Sequence, residues 1–94
     1  MLDEFKHIYV DKNKVVNLTR NETKILLCLM KNEISTVKEI AESVGYDAWD
    51  KYIIRTILTQ ICVLRKKLKG LLDIVCVKTV GYKLEYVKDG GEDA

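Results

Sequence analysis

The N-terminal part of the chain alternates weakly between apolar and polar residues. The segment FKHIYVDKNKVVNLT has this alternation on both sides of the tripeptide Asp11–Asn13, whose residue types favour turns. We therefore expect two strands, at Lys6–Val10 and Lys14–Asn17, joined by a tight turn.

Two capping-box patterns mark the starts of the next two elements. The sequence TRNE at residues 19–22 precedes a densely apolar run, which predicts a largely buried helix ending near Asn32. The sequence TVKE at residues 36–39 precedes apolar residues at helical spacing, which predicts a second helix over Val37–Val44. Gly45 follows where a helix end favours a left-handed residue.

The longest segment with helical spacing covers residues 50–69. At about 100° per residue, one face holds only apolar residues and is expected to pack on the core: Ile53, Ile54, Ile57, Ile61, Leu64 and Leu68. The opposite face mixes cationic, polar and apolar residues: Tyr52, Arg55, Thr56, Thr59, Cys62, Val63 and Lys66. Gly70 is expected to end this helix. Such a mixed face suggests a surface that meets another molecule.

A hairpin is predicted after the third helix. Alternating residues give strands at Ile74–Lys78 and Tyr82–Val87. Between them lie Thr79, Val80 and Gly81, and we expect Gly81 to supply the positive φ that the turn needs.

The link between the second and third helices, GYDAWD at residues 45–50, combines turn-forming and aromatic residues. Asp47 or Asp50 can cap the third helix. Tyr46 and Trp49 are expected to pack this loop onto the body of the protein rather than to stack on bases.

Composition fits one domain over residues 1–88, followed by an acidic, glycine-containing tail over residues 89–94 that we expect to be disordered. No apolar run is long enough to span a membrane, and the N-terminus lacks the pattern of a signal peptide. These features, with unpaired cysteines, indicate the cytosol.

Cysteine and histidine usage argues against an enzyme and against a bound metal or cofactor. The chain has three scattered cysteines and a single histidine, too few for a metal site or a disulfide framework. Cys28 and Cys76 are expected to be buried. Cys62 faces outward near cations, so it is either a regulatory thiol or an incidental small residue.

Charge is distributed unevenly along the chain. Residues 1–50 carry seven Lys/Arg against nine Asp/Glu, a net charge of −2. Residues 51–88 carry nine Lys/Arg against two Asp/Glu, a net charge of +7. A cationic segment of this kind attracts polyanions, although a solvated helix face would also be rich in lysine.

Four motifs in order make the chain similar to the winged-helix effector domain of OmpR/PhoB-type response regulators. These motifs are VVNLTRNETKILLCLMKN, VKEIAESV, RTILTQICVLRKKL and IVCVKTVGYKL. The resemblance covers about residues 7–87. It implies an α+β winged helix-turn-helix fold with N-terminal antiparallel strands, three helices and a C-terminal hairpin, the wing. It also implies that helix 50–69 enters the major groove and that wing 74–87 lies near the minor groove.

The resemblance also carries roles over to individual residues. Arg55 and Thr56 match a pair that contacts the DNA backbone, and Gln60 and Arg65 match phosphate contacts. Lys78 stands where the wing of relatives usually has an arginine, with Thr79 beside it. The full set expected to contact DNA is Lys51, Arg55, Thr56, Thr59, Gln60, Val63, Arg65, Lys66, Lys78 and Thr79.

Two departures from the family pattern change what the third helix can read. Cys62 and Val63 stand where many relatives carry arginine, the usual bidentate reader of guanine. Val63 has no hydrogen-bonding group, so it can read a base only through apolar contact with a thymine methyl group.

The leading hypothesis is sequence-specific binding of double-stranded DNA in bacterial transcription regulation, as the effector of a two-component system. The resemblance further implies a contact between loop 45–50 and RNA polymerase, and a homodimer on DNA. The alternative is a protein–protein interaction module on the same scaffold, suggested by the apolar residues Leu58, Cys62 and Val63 on the outward side of the third helix.

Overall fold

Eight elements follow one another in the described part of the chain. The computed structural model describes residues 1–11, 14–45 and 51–86. Its elements are β1 (Leu2–Asp3), β2 (Ile8–Asp11), β3 (Lys14–Asn17), α1 (Arg20–Lys31), α2 (Val37–Val44), α3 (Lys51–Lys67), β4 (Leu72–Val77) and β5 (Gly81–Tyr86). The predicted α+β winged-helix arrangement of antiparallel strands, three helices and a C-terminal hairpin is confirmed.

The N-terminal strands form an antiparallel sheet in the order β1-β2-β3. In β2 and β3, Ile8 pairs with Asn17 and Asp11 pairs with Lys14. Strand β2 corresponds to the strand predicted at Lys6–Val10, but it begins two residues later because the chain turns at His7, whose φ is 54°. The sequence did not predict the two-residue β1. The expected turn at residues 11–13 includes two positions outside the described residues.

Both predicted capping boxes are present and set the starts of α1 and α2. The Thr19 N–H donates to Glu22 Oε1 at 2.9 Å, and the Glu22 N–H donates to Thr19 Oγ1 at 3.1 Å. Thr36 and Glu39 form the same pair of hydrogen bonds at 2.9 and 3.1 Å. Gly45 follows α2 in the left-handed conformation, with φ at 91°, as expected.

The core lies between the helices and the hairpin, and α3 contributes its predicted face. Ile57, Ile61 and Leu64 are buried, as is Leu68 just after the helix, while Ile53 and Ile54 are half-buried. The other fully buried large apolar side chains come from α1, α2 and β4: Ile25, Leu26, Leu29, Ile40 and Leu72. Cys28 is buried among them, as predicted. In the described ranges, no helix combines the length and apolar character that a membrane span needs.

The hairpin is attached to the segment that precedes α2. The Ser35 N–H donates to the Tyr82 carbonyl, and the Tyr82 N–H donates to the Ser35 carbonyl, each at 2.8 Å. Ser35 itself is fully buried. This bridge fixes the position of β5 relative to the start of α2.

The prediction that Gly81 supplies the positive φ of the hairpin turn is wrong. The residue with positive φ is Thr79, at 65°. A Cβ at Gly81 would instead lie 2.1 Å from the Ser35 carbonyl oxygen and 2.8 Å from its carbon. Glycine is therefore required at position 81 because the backbones of β5 and Ser35 approach too closely for any side chain.

The expected burial of Cys76 is also wrong. Cys76 lies on the same strand face as the buried Leu72 and Ile74, yet it is exposed. Burial alternates as predicted only from Leu72 to Ile74; farther along β4, Val75 and Val77 are half-buried and Cys76 between them is exposed. Strand periodicity gives the face of a residue and not the point at which the core stops.

Candidate nucleic-acid interface

The side of α3 that points away from the core is accessible along its length. We define the outer face of α3 as the seven residues Tyr52, Arg55, Thr56, Thr59, Cys62, Val63 and Lys66, and all seven are exposed. Leu58, at its margin, is also 40% exposed. The predicted division of this helix into a buried and an exposed face is confirmed.

The charge of this helix is entirely of one sign. Over Lys51–Lys67 there is no acidic residue. Lys51, Arg55 and Lys66 are exposed, and none of these three is part of a salt bridge identified in the described ranges. Exposed cations without acidic neighbours on their own helix can interact with an external polyanion.

The two threonines on the outer face use their hydroxyl hydrogens within the helix. Thr56 Oγ1 donates to the Tyr52 carbonyl at 2.9 Å. Thr59 Oγ1 donates to the Arg55 carbonyl at 3.1 Å. In these conformations each threonine keeps its oxygen lone pairs and its methyl group for contact with another molecule, but has no donor to offer.

Gln60 lies on the flank of α3 and is half-buried. Its Oε1 is buried and has no hydrogen-bond partner among the described residues. A phosphate only accepts hydrogen bonds, so the predicted phosphate contact would have to come from the amide nitrogen of Gln60.

Arg65 links α3 to the hairpin. Its Nε donates to the Ile74 carbonyl in β4 at 3.0 Å, although the side chain remains exposed. A guanidinium has five N–H donors, so one such bond leaves capacity for a phosphate. Sequence reasoning predicted only the phosphate contact and missed this hydrogen bond.

Lys67 has a structural role that the sequence did not indicate. Its Nζ lies 2.7 Å from Glu22 Oε1, the same oxygen that accepts the Thr19 N–H in the first capping box. Glu22 is buried, while the Lys67 side chain is 34% exposed. The pair joins the start of α1 to the end of α3, and no local pattern relates residues 45 positions apart.

The turn of the wing carries the other predicted contacts. Lys78 and Thr79 are both exposed, and Thr79 Oγ1 donates to the Lys78 carbonyl at 2.6 Å. Lys83, in β5, instead forms a salt bridge with Glu85 at 3.1 Å. Lys78 is therefore the cation of the turn itself.

Tyr82 supports the base of the wing. Burial raises the pKa of Tyr82 above its ordinary value of 10.0, the neighbouring Cys76 raises that pKa further, and Arg65 opposes the rise. Tyr82 is therefore neutral near pH 7, and its backbone is bonded to Ser35. Tyr82 lies in the motif IVCVKTVGYKL, which did not reveal the bonds to Ser35.

The structure thus places nine of the ten predicted contact residues at exposed positions and Gln60 at a half-buried one. They occur on α3 and on the wing turn, and the hydrogen bond from Arg65 to Ile74 connects α3 to β4, the first strand of the wing. Within residues 1–11, 14–45 and 51–86, no group of three or more His, Cys, Asp or Glu side chains could hold a metal ion. Most of loop 45–50, with its predicted caps and aromatic packing, lies outside the described residues, as does the tail 89–94.

Comparisons with known proteins agree with this arrangement. The sequence family described as "Transcriptional regulatory protein, C terminal" matches residues 13–84. The chain is 39% identical over 75 residues to the response regulator RR06 of Streptococcus pneumoniae serotype 2 (strain D39 / NCTC 7466). That match covers 78% of this chain but only 34% of RR06, so the chain spans about a third of this relative.

Two solved structures are similar in fold. One is the DNA-binding domain of the response regulator AdeR in complex with an intercistronic region, with a TM-score of 0.72 and 23% identity, covering 93% of this chain and 94% of that one. The other is a mutant of RitR, with a TM-score of 0.73 and 28% identity, covering 92% of this chain and 40% of that one.

Proposed function

Because this chain belongs to the family of C-terminal domains of transcriptional regulatory proteins, the DNA-binding effector domains of OmpR/PhoB-type response regulators, we propose that it binds double-stranded DNA through the outer face of α3. In this arrangement α3 lies in the major groove and the wing, β4–β5 with its turn, lies near the minor groove. The biological role is sequence-specific regulation of bacterial transcription.

One observation carries the proposal: α3 exposes a cationic face along a helix without acidic residues while its opposite face is buried in the core. A helix whose opposite face is packed against the core can enter a groove without moving relative to the rest of the protein. The AdeR domain, which has the same fold, was crystallised with DNA.

Within this interface the residues divide by chemistry. Cations and the amide nitrogen of Gln60 suit phosphates, which fix the register of the protein on the duplex; in this group we place Lys51, Arg55, Gln60, Arg65, Lys66 and Lys78. Thr56 and Thr79 join this group only when their hydroxyls turn away from the carbonyls of Tyr52 and Lys78 and donate to phosphate instead. Thr59 and Val63 lie in the middle of the outer face, where base edges would be within reach. Arg65 combines its phosphate contact with the hydrogen bond that holds β4.

The wider setting is part of the same proposal. Such a regulator acts in the cytosol, binds direct repeats as a homodimer and contacts RNA polymerase through loop 45–50. Analytical ultracentrifugation on a duplex with two half-sites would report whether two copies bind.

The experiment is a selection from a random duplex library followed by electrophoretic titration over a salt series. About five to seven phosphate contacts predict a log–log slope of roughly −4 to −6. Arg55→Ala should weaken binding to every duplex and reduce that slope by about 1, whereas Val63→Ala should change sequence preference more than affinity. Binding that does not depend on salt would contradict the proposal.

A protein–protein module is the second candidate. Leu58 and Val63 are 40% and 41% exposed on the outward side of α3, with Cys62 exposed beside them. Exposed apolar groups that lie together can indicate a protein partner. Failure of the folded protein to shift any duplex in the titration would favour this candidate.

A further inference from the structure

The middle of the outer face is more apolar than its sequence suggests. Thr59 and Val63 are one helical turn apart and therefore neighbours on the helix surface. The Thr59 hydroxyl hydrogen is bonded to the Arg55 carbonyl at 3.1 Å. Val63 is 41% exposed. The two residues together form a strip of methyl groups on the exposed surface, which we call the methyl strip.

Cations lie beyond both ends of this strip. Arg55 is one turn before Thr59, and Lys66 follows Val63 by three residues, all on the outer face. From Arg55 to Lys66 the helix rises about 16 Å, enough to extend across a major groove about 12 Å wide. Phosphate contacts at the two ends would hold the methyl strip against the floor of the groove.

This charge arrangement selects the occupant. An apolar protein surface would leave Arg55 and Lys66 beside it without counter-charges, because α3 supplies no acidic residue. Duplex DNA has phosphates at the edges of the groove and base edges between them. The methyl strip with its flanking cations therefore matches DNA better than an apolar protein partner.

Base-edge chemistry then selects the base. Guanine is read by donors to O6 and N7, and adenine by a group that both donates and accepts. Val63 has no polar group, and the Thr59 hydroxyl has no free hydrogen. The Thr59 oxygen can still accept from the amino group of cytosine or adenine, so the variants Thr59→Ser and Thr59→Val described below are needed to separate the methyl group from the oxygen. The one apolar group on the floor of the major groove of unmodified DNA is the C5 methyl of thymine.

We propose that the methyl strip, Thr59 and Val63, reads thymine methyl groups, so that the operator has T·A pairs where the centre of α3 meets the major groove. This inference rests on the proposed function and specifies what the same site recognises. Arg55 and Lys66 hold the strip in place without contributing to the choice of base.

The test removes only the methyl group from the DNA. In a duplex obtained by selection, each thymine in turn is replaced by deoxyuridine, which has the same hydrogen-bonding edge. Burial of one methyl group corresponds to about a 4-fold change in affinity. We expect a loss of roughly 3- to 5-fold at one or two thymines in the central segment and no loss at flanking thymines.

Matched substitutions in the protein assign the effect to the strip. Val63→Ala should abolish the preference for thymine over uracil at one position. Thr59→Ser, which removes the methyl but keeps the hydroxyl, should abolish it at the other. Thr59→Val, which keeps the methyl and removes the hydroxyl, should retain it. Lys66→Ala should weaken binding to the thymine-containing duplex and to the deoxyuridine-containing duplex by the same factor. Circular dichroism would establish that each variant is folded.

The outcomes distinguish the thymine inference from the proposed function. Tight, salt-dependent binding with no penalty for uracil at any position would overturn the thymine inference and leave DNA binding in place. Retention of the thymine preference in Val63→Ala and Thr59→Ser together would also overturn it. The absence of binding to any duplex would overturn the proposed function itself.

Discussion

Helix α3 and the wing are both exposed on one side, yet they are held in different ways. The helix is fixed by a continuous apolar face, from Ile53 to Leu68, buried against the rest of the core. The wing is fixed at a few points: the paired bonds between Ser35 and Tyr82 and the bond from Arg65 to Ile74. Single substitutions on the exposed side of α3 should therefore spare stability, whereas single substitutions at the attachments of the wing should not.

The largest effect is expected at Gly81. In Gly81→Ala the new Cβ would overlap the Ser35 carbonyl oxygen at 2.1 Å, so that the bridge between β5 and Ser35 must break or shift. We expect a loss of about 3 kcal/mol in the free energy of unfolding, measured by urea denaturation.

Gly70→Ala is the matched control for that substitution. Gly70 has φ at 87° and open space around it, so alanine there should cost only about 1 kcal/mol from backbone strain. Equal losses for the two variants would show that close approach to Ser35 is not what requires Gly81.

The next largest loss of stability is expected at the first capping box, and the second capping box serves as its comparison. Glu22→Ala removes a capping bond and also leaves Lys67 without its counter-charge, so we expect a loss of about 2 kcal/mol. Glu39→Ala removes the equivalent cap at an exposed position and should cost about 1 kcal/mol. In a Lys67→Met background the difference between the two losses should shrink. A difference unchanged in that background would contradict a contribution from the ion pair.

Arg65 tests whether helix and wing are coupled. Arg65→Ala should cost about 1 kcal/mol of stability through loss of the bond to Ile74, and should weaken DNA binding. Lys66→Ala, its exposed neighbour, should weaken DNA binding by a similar factor with no measurable loss of stability. Combining each with Lys78→Ala gives a double-mutant cycle on DNA affinity. A bracing role predicts non-additive losses for Arg65 with Lys78 and additive losses for Lys66 with Lys78.

The smallest effect has the opposite sign. Thr79 is a β-branched residue with φ at 65°, a conformation that is strained for such residues. Thr79→Gly should therefore stabilise the protein by about 0.5 kcal/mol, less than the relief of strain because glycine gains entropy in the unfolded chain. The same variant should bind DNA more weakly if Thr79 contacts phosphate. A decrease in the urea midpoint would contradict the assignment of strain.

Sequence patterns predicted the features that depend on neighbouring residues. Helical spacing separated Ile57, Ile61 and Leu64 from the outer face of α3, and the two Thr–Glu pairs located the starts of α1 and α2. These predictions succeeded because a helix repeats the same geometry over one or two turns, and side chains three or four positions apart must share a face.

What the sequence did not predict depends on contacts between distant segments. The role of Gly81 comes from Ser35, 46 positions away, and that of Lys67 comes from Glu22, 45 positions away. For Arg65 the sequence predicted only a phosphate contact. It gave no sign of the hydrogen bond to Ile74, because that bond joins two different elements. The DNA-contacting roles of the residues on α3 and the wing turn remain predictions.

The central claim is that the outer face of α3 enters DNA, and amide chemical-shift mapping during titration with the selected duplex tests it directly. We predict that the largest shifts fall on α3, at Arg55, Thr59 and Lys66, and on the wing turn at Lys78 and Thr79. Small shifts are expected on the N-terminal sheet. Binding that leaves the α3 amides unperturbed while shifting those of α1 or the sheet would contradict the claim.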